Sequence, residues 1–115
     1  MADLGNPKNT IGVLKKYQFN FAKKFGQNFL IDTHVLEKII RAAEITKEDY
    51  VLEIGPGIGT MTQYLCEAAK GVVAVEIDSN LIPILQDTLS PYENVTVLHQ
   101  DILKVDINRL VDEMC

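Results

Sequence analysis

The chain has 115 residues, enough for one modest domain with its own hydrophobic core. Hydrophobic residues make up 47% of it and charged residues 23%, a balance that excludes an intrinsically disordered chain. No apolar run is long enough to cross a bilayer, the first thirty residues contain no signal-peptide core, and Cys66 and Cys115 lack metal-ligand spacing, so we expect a cytoplasmic protein with reduced thiols and no metal site.

The net charge of −5 is divided unevenly along the chain. Residues 1–47 carry eight Lys/Arg and four Asp/Glu, which gives +4, whereas residues 48–115 carry three and twelve, which gives −9. Between Asp3 and Asp32 no acidic residue occurs. A basic segment on an acidic body favours contact with a polyanion, although a solvated tail whose lysines only aid solubility would have the same composition.

Residues 1–31 are predicted to form a basic N-terminal arm. Its first fourteen residues contain glycine, proline and asparagine at short intervals, which favours a loosely ordered leader. Residues 15–31 interleave lysines with aromatic residues and predict an irregular segment. Asp32 predicts a helix N-cap, and the one-face spacing of the apolar residues that follow predicts an amphipathic helix over 33–44.

Residues 32–115 are predicted to form the main domain, in which strands and helices alternate. The predicted elements are a strand over Tyr50–Ile54, a helix over Thr60–Ala69, a strand over Val72–Glu76, a helix from Ser79 to about Leu89, a strand over Val95–His99 and a weak helix over 106–114. Gly71 is predicted to end the first of these helices in the left-handed conformation. Continuous apolar strands joined by helices predict a parallel sheet with crossover connections, so the fold class is α/β.

A glycine-rich loop, residues 53–59 (EIGPGIG), lies between the first strand and its helix. Gly55 permits a sharp turn, and Gly57 lets the backbone approach a ligand. Glu76 ends the next strand, where a carboxylate can accept hydrogen bonds from ribose hydroxyls, and Asp101 follows the third, where it can accept from an adenine amino group. Taken singly, Gly55 and Gly57 could be turn glycines, Glu76 a solvated strand end and Asp101 a helix cap. The carboxyl ends of parallel strands share one edge of a sheet, however, so these residues together predict a nucleoside site.

The same edge favours one nucleoside cofactor over another. Pro56 removes an N–H donor from the loop, whereas a pyrophosphate needs free N–H groups at the helix that follows. The acidic side chains suit a cofactor that has no phosphate and carries a positive sulfonium; they are Glu53, Glu76, Asp78 and Asp101. S-adenosylmethionine is therefore the predicted cofactor, and an NAD-dependent oxidoreductase fragment, which Glu76 fits equally well, is an alternative.

Several segments of the chain resemble the ribosomal RNA adenine dimethyltransferase family. They are residues 23–30 (KKFGQNFL), 53–62 (EIGPGIGTMT), 75–78 (VEID) and 100–103 (QDIL). The resemblance covers about residues 15–105 and is closest to the kasugamycin-sensitivity type, which acts on the small ribosomal subunit; the macrolide-resistance type, which acts on the large subunit, is an alternative. It implies a Rossmann-like class I methyltransferase fold, S-adenosylmethionine, and N6-dimethylation of adenines in the rRNA of the assembling small subunit.

The resemblance also implies roles for individual residues. Asn28 and Leu30 would line the cofactor pocket from the arm side, Gly55 would contact the methionine moiety, Glu76 the ribose and Asp101 the adenine. The arm would fold over the cofactor as a lid. Its lysines would face RNA phosphates, positioning the RNA without reading its sequence; these are Lys15, Lys16, Lys23 and Lys24.

The family has an Asn-Leu-Pro-Tyr motif after its fourth strand, and residues 102–115 contain none. We therefore expect the chain to be the N-terminal half of the methyltransferase domain, which binds cofactor without methylating RNA. We also expect the first strand, Val51–Ile54, to present an exposed apolar edge that invites self-association. A non-enzymatic RNA-binding module with a vestigial pocket is a further alternative.

Overall fold

The computed structural model of the chain describes residues 3–16 and 33–114. Its elements, in chain order, are α1 (Pro7–Lys16), α2 (Thr33–Ala42), β1 (Tyr50–Ile54), α3 (Thr60–Ala68), β2 (Gly71–Glu76), α4 (Ile82–Thr88), β3 (Val95–His99), a single 3-10 turn (Ile102–Lys104) and α5 (Ile107–Met114). The strands form one parallel sheet in the order β1-β2-β3, which confirms the predicted α/β class with crossover helices.

The central strand, β2, is buried along its whole length, whereas β1 and β3 are only partly buried. It pairs with both neighbours, so that Val72 lies opposite Val51 on one side and Val95 on the other. A strand covered on both faces needs apolar side chains at every position, which is why the run from Gly71 to Ala74 shows no alternation. The register brings the carboxyl ends of all three strands to one edge of the sheet.

The prediction for Gly71 was wrong. Positive φ angles occur at other glycines, and Gly71 instead begins β2. The helix before it, α3, ends at Ala68, and the residue that follows, Ala69, is extended. A Cβ on Gly71 would lie 2.8 Å from the ring of Tyr50, so this position is glycine because β1 approaches it closely.

The N-terminal leader was also predicted wrongly, because α1 is a regular helix. Asn6 caps it, since its side-chain oxygen accepts from the Lys8 amide (3.0 Å), and the helix begins at Pro7, whose missing N–H costs nothing there. Asn6 and Pro7, which the sequence analysis interpreted as helix-breaking residues, thus mark the start of a helix. Leu4, only 1% exposed, packs in the core with side chains from the loop, from α4 and from the two residues that flank α4: Ile58, Leu81, Ile84, Leu85 and Leu89.

Two further helices begin or end differently from the prediction. α4 begins at Ile82 rather than after Ser79, because residues 79–81 form a turn, although Pro83 lies in its first turn as expected. α2 ends at Ala42, two residues early, and the predicted cap Asp32 lies outside the described residues.

β1 is an outer strand of the described sheet, as predicted, but most of its apolar side chains are less exposed than expected. Val51 and Leu52 are half-buried beside a cavity of about 90 Å³ that α5 helps to enclose, whereas Ile54, at 61%, is the most exposed of the strand's apolar side chains. Self-association through this strand stays a prediction.

None of the helices in the described ranges has the length and apolarity that a bilayer crossing requires.

Candidate functional site

The glycine loop between β1 and α3 has the sharp form that the sequence predicted. The Gly55 amide still donates to the carbonyl of Val75 in β2 (2.9 Å), and the chain then leaves the sheet. All three loop glycines have positive φ, with values of 69° at Gly55, 63° at Gly57 and 97° at Gly59. A side chain at these angles would be strained, so the loop conformation itself requires glycine.

Glu76, at the end of β2, binds the backbone on both sides of it. Its Oε1 accepts from the Gly57 amide (3.3 Å) and its Oε2 from the Asp78 amide (3.0 Å). The side chain is 2% exposed. Each carboxylate oxygen can accept a second hydrogen bond, so Glu76 both fixes the loop and keeps acceptor capacity for a ligand. The structure thus brings Gly57 and Glu76, both predicted site residues, into direct contact.

Asp101 lies on the same edge, two residues beyond the pair formed by Glu76 and His99. The Gln100 amide donates to the carbonyl of Glu76 (3.1 Å), which ties this segment to the end of β2. Asp101 Oδ1 accepts from the Leu103 amide (3.0 Å) and caps the 3-10 turn. The capping role considered for Asp101 is therefore confirmed, and it fixes the carboxylate at this edge of the sheet, whereas its contact with the adenine stays a prediction.

Glu53 lies beneath the loop at the end of β1 and accepts a hydrogen bond from the Thr62 hydroxyl of α3. Burial raises the pKa of Glu53 to about 7, the hydrogen bond from Thr62 opposes the rise, and the negative charge of Glu76 adds to it. The sequence analysis counted Glu53 only as part of the acidic edge. Its altered acidity depends on contacts made by folding, and no local sequence pattern predicts it.

Two buried polar atoms near this edge have no hydrogen-bond partner among the described residues: the Thr60 hydroxyl oxygen and Asp78 Oδ2. Thr60 begins α3 directly after the loop, and Asp78 follows Glu76 by two residues. A buried polar atom without a partner costs free energy unless a ligand or solvent supplies the bond. Carboxylates accept from hydroxyl and amino groups and attract positive charge, so the residues present fit S-adenosylmethionine better than a pyrophosphate.

Apolar side chains also stand exposed around the edge, and the sequence analysis did not identify them as site residues. Ile54, which ends β1, is 61% exposed; Ile77, which follows β2, is 52% exposed; and Leu103, in the 3-10 turn after β3, is 89% exposed. A large aliphatic side chain within two residues of a carboxylate at or just beyond a strand end is the signal that could have identified them. They give the polar edge apolar neighbours, as ligand sites commonly have.

The predicted arm residues are only partly described. Asn28, Leu30, Lys23 and Lys24 lie outside the described residues, so their predicted roles stay predictions. The two remaining lysines, Lys15 and Lys16, lie in the last turn of α1 rather than in an irregular segment. The Lys16 ammonium forms an ion pair with Asp87 of α4 (2.6 Å), and this contact links α1 to α4.

Comparison with known proteins places this site within a family. The sequence profile for "Ribosomal RNA adenine dimethylase" matches residues 18–114. The chain is 77% identical over 114 residues to the ribosomal RNA small subunit methyltransferase A of Lachnoclostridium phytofermentans, covering 98% of this chain and 39% of that protein. It is 55% identical over 111 residues to the protein of the same name from Bacillus pumilus, covering 96% and 38%. The chain thus spans about two fifths of the length of these relatives.

Solved structures of methyltransferases are also similar to this chain. A dimethyladenosine transferase from Plasmodium falciparum is 38% identical with a TM-score of 0.59, and the match covers 64% of this chain and 28% of that one. The 23S rRNA methyltransferase ErmE is 30% identical with a TM-score of 0.63, covering 76% and 42%. A tRNA (m1A58) methyltransferase from Aquifex aeolicus, at 23% identity and a TM-score of 0.64, shows the shared fold alone.

These comparisons confirm the Rossmann-like class I methyltransferase fold and S-adenosylmethionine as its cofactor. The profile covers most of the chain and includes the glycine loop, Glu76 and Asp101. The chain therefore belongs to the ribosomal RNA adenine dimethylase family.

Proposed function

We propose that the whole protein is an S-adenosylmethionine-dependent adenine N6-dimethyltransferase that acts on small-subunit rRNA, and that the edge formed by residues 53–59, Glu76 and Asp101 holds the cofactor. The junction of Gly57, Glu76 and Asp78 carries the proposal, because one carboxylate fixes the glycine loop and keeps acceptor capacity at the strand ends. The small-subunit substrate is supported by the names of the relatives at 77% and 55% identity.

In this proposal the chain's own residues bind and orient. S-adenosylmethionine supplies the methyl group as an electrophile on a positively charged sulfur. Glu76 accepts from the ribose hydroxyls, Asp101 accepts from the adenine amino group, and the loop at Gly55 and Gly57 passes close to the methionine moiety. Methyl transfer to a nitrogen depends mainly on the alignment of the two reactants, so residues that hold S-adenosylmethionine in one orientation contribute directly to the rate.

The RNA partner belongs to the same proposal. Lys15, Lys16, Lys23 and Lys24 contact phosphates, Asn28 and Leu30 complete the cofactor pocket, and the target base leaves its stack to reach the cofactor. We place the protein in the cytoplasm, on the strength of its ribosomal RNA methyltransferase relatives.

Self-association through β1 is a separate proposal. Sedimentation velocity at rising concentration tests it, since a constant sedimentation coefficient would contradict it.

Calorimetric titration of the chain with S-adenosylmethionine tests the cofactor site. We expect binding by the wild type and at least about tenfold weaker binding by Glu76→Gln, because the amide NH2 group replaces one of the two acceptor oxygens that the Gly57 and Asp78 amides use and removes an acceptor for the ribose. Glu93→Gln is the matched control, since it removes the same charge from an exposed position outside the site. Thermal unfolding of each variant separates lost affinity from lost fold.

The same titration distinguishes the alternatives. Binding of NAD in place of S-adenosylmethionine would favour the oxidoreductase, and salt-dependent RNA affinity without cofactor affinity would favour the RNA-binding module. Equal cofactor affinity in Glu76→Gln and Glu93→Gln would show that the nucleoside lies elsewhere. Methylation of large-subunit rather than small-subunit rRNA by the whole protein would favour the macrolide-resistance type.

A further inference from the structure

A chain of buried hydrogen bonds runs from the N-terminal segment to the glycine loop. The Leu4 amide donates to Gln63 Oε1 (3.0 Å), and Gln63 Nε2 donates to the carbonyl of Thr88 (3.0 Å). The Thr88 hydroxyl in turn donates to the carbonyl of Ile58, inside the loop (2.7 Å). All four residues are buried, and the chain joins segments 59, 25 and 30 residues apart.

Thr88 also limits the loop sterically. A Cβ on Gly59 would lie 2.9 Å from the Thr88 hydroxyl oxygen, so the loop and the end of α4 are in close contact at this point. One side chain therefore fixes the loop in two ways, through a hydrogen bond to Ile58 and through contact at Gly59. Removal of the hydroxyl would leave a buried carbonyl without its partner and would loosen the loop that meets the cofactor.

The N-terminal segment is held firmly enough to support this chain. The Thr33 hydroxyl of α2 donates to the carbonyl of Gly5 (3.0 Å), and the Tyr64 hydroxyl of α3 donates to the Asp3 carboxylate (3.0 Å). The Thr10 hydroxyl donates to the carbonyl of Leu4 (2.8 Å), which joins α1 to the residues that precede it. Residues 3–5 are thus hydrogen-bonded to side chains of α1, α2 and α3.

We propose that Thr88 is a positioning residue for cofactor binding, and that Gln63 couples it to the N-terminal segment so that a docked segment keeps the glycine loop in its binding shape. The proposal rests on the cofactor site proposed above. It assigns residues 3–16 a part in cofactor affinity, although none of them belongs to the candidate cofactor site. The physical reason is pre-organisation, because a loop already fixed in its bound shape loses less entropy when the ligand arrives.

Thr88→Val and Thr88→Ser form the matched pair that tests this proposal. Valine keeps the shape of the side chain and removes the hydroxyl, whereas serine keeps the hydroxyl. We expect Thr88→Val to bind S-adenosylmethionine about fivefold more weakly and Thr88→Ser to bind nearly as the wild type does. Asn94→Ala is the control for general destabilisation, because Asn94 bonds to the Cys66 carbonyl (2.8 Å) at the opposite end of the sheet.

Hydrogen exchange of the loop amides in the free chain provides the second measurement. We expect faster exchange at residues 57–59 in Thr88→Val and no loop-specific change in Asn94→Ala. Gln63→Met, which removes the hydrogen bonds to the Leu4 amide and the Thr88 carbonyl, should act in the same direction and serves if Thr88→Val does not fold. Unchanged loop exchange in Thr88→Val and Gln63→Met would overturn the inference, whereas a wild-type chain that binds no cofactor would overturn the proposed function.

Discussion

Glu53 is the residue at the site whose charge depends most on its surroundings. It sits below the loop with one hydrogen bond from Thr62 and the Glu76 carboxylate nearby. Burial penalises the charged form, so the pKa of Glu53 is raised from 4.5 to about 7. Folding therefore favours the protonated form of this carboxyl group more than the unfolded chain does, and the stability of the protein is linked to pH.

The sign of that linkage gives a prediction for Glu53→Gln. Because the folded pKa is the higher one, the stability that Glu53 contributes is present below about pH 4.5 and is lost as the pH rises to about 7. Relative to Glu53→Gln, the wild type should lose at most about 3 kcal/mol of unfolding free energy over that window. Urea unfolding of both proteins at several pH values measures the difference.

Thr62→Val provides the control for that experiment. The Thr62 hydrogen bond lowers the pKa of Glu53, so its removal should move the pH-dependent loss of stability to higher pH. A stability difference between the wild type and Glu53→Gln that stays constant from pH 5 to 8 would contradict the raised pKa.

Single residues also show how far the site could be predicted from sequence. Gly55, Gly57 and Glu76 stand out because loop shape and strand position follow from local patterns. Thr88 and Gln63 do not, since their hydrogen bonds join segments that are 25 or more residues apart. Sequence patterns predict what a residue's neighbours in the chain require, whereas these bonds arise from packing.

At the scale of elements, α1 changes the interpretation of the N-terminus. Leu4, three residues before this helix begins, is 1% exposed and packs with Ile58 of the loop and Leu85 of α4. A segment that buries a leucine in the core stabilises the whole fold, because that apolar surface leaves water only when the segment docks.

Leu4→Ala measures this contribution. Loss of a fully buried leucine side chain should lower the free energy of unfolding by about 2 to 4 kcal/mol, through lost burial and the cavity left behind. Leu103→Ala is the matched control, because Leu103 is 89% exposed and its truncation should cost less than about 0.5 kcal/mol. Equal effects of the two substitutions in urea unfolding would show that residues 3–16 do not dock in solution.

The elements differ in how well their sequence predicts them. β1 and β3 match their predicted bounds because short apolar runs between turns leave few other structures. α1 was missed because the contacts that hold it are spread over the burial of Leu4, partial burial of Val13 and the Lys16–Asp87 ion pair, rather than forming a regular apolar face that a sequence pattern would reveal. Gly71 was assigned to a helix end because glycine favours that position, yet the close approach of Tyr50 decides its role.

The charge of the whole molecule separates the N-terminal residues from the sheet. Residues 1–47 carry +4 and residues 48–115 carry −9, and the candidate cofactor residues Glu53, Glu76 and Asp101 all belong to the acidic part. A cation such as S-adenosylmethionine is attracted by the acidic edge, whereas RNA is repelled by it and attracted by the basic residues. The two proposed ligands therefore meet parts of opposite charge.

Salt dependence of RNA affinity tests that division. Each phosphate contact adds about 0.7 to the slope of log affinity against log salt for single-stranded RNA, so Lys23→Gln with Lys24→Gln should lower the slope by roughly 1 to 2. Lys70→Gln with Lys104→Gln removes the same charge from the acidic part and should leave the slope nearly unchanged. If both double variants lowered the slope equally, net charge rather than a basic contact surface would govern RNA binding, and the lysines of the arm would have no special role.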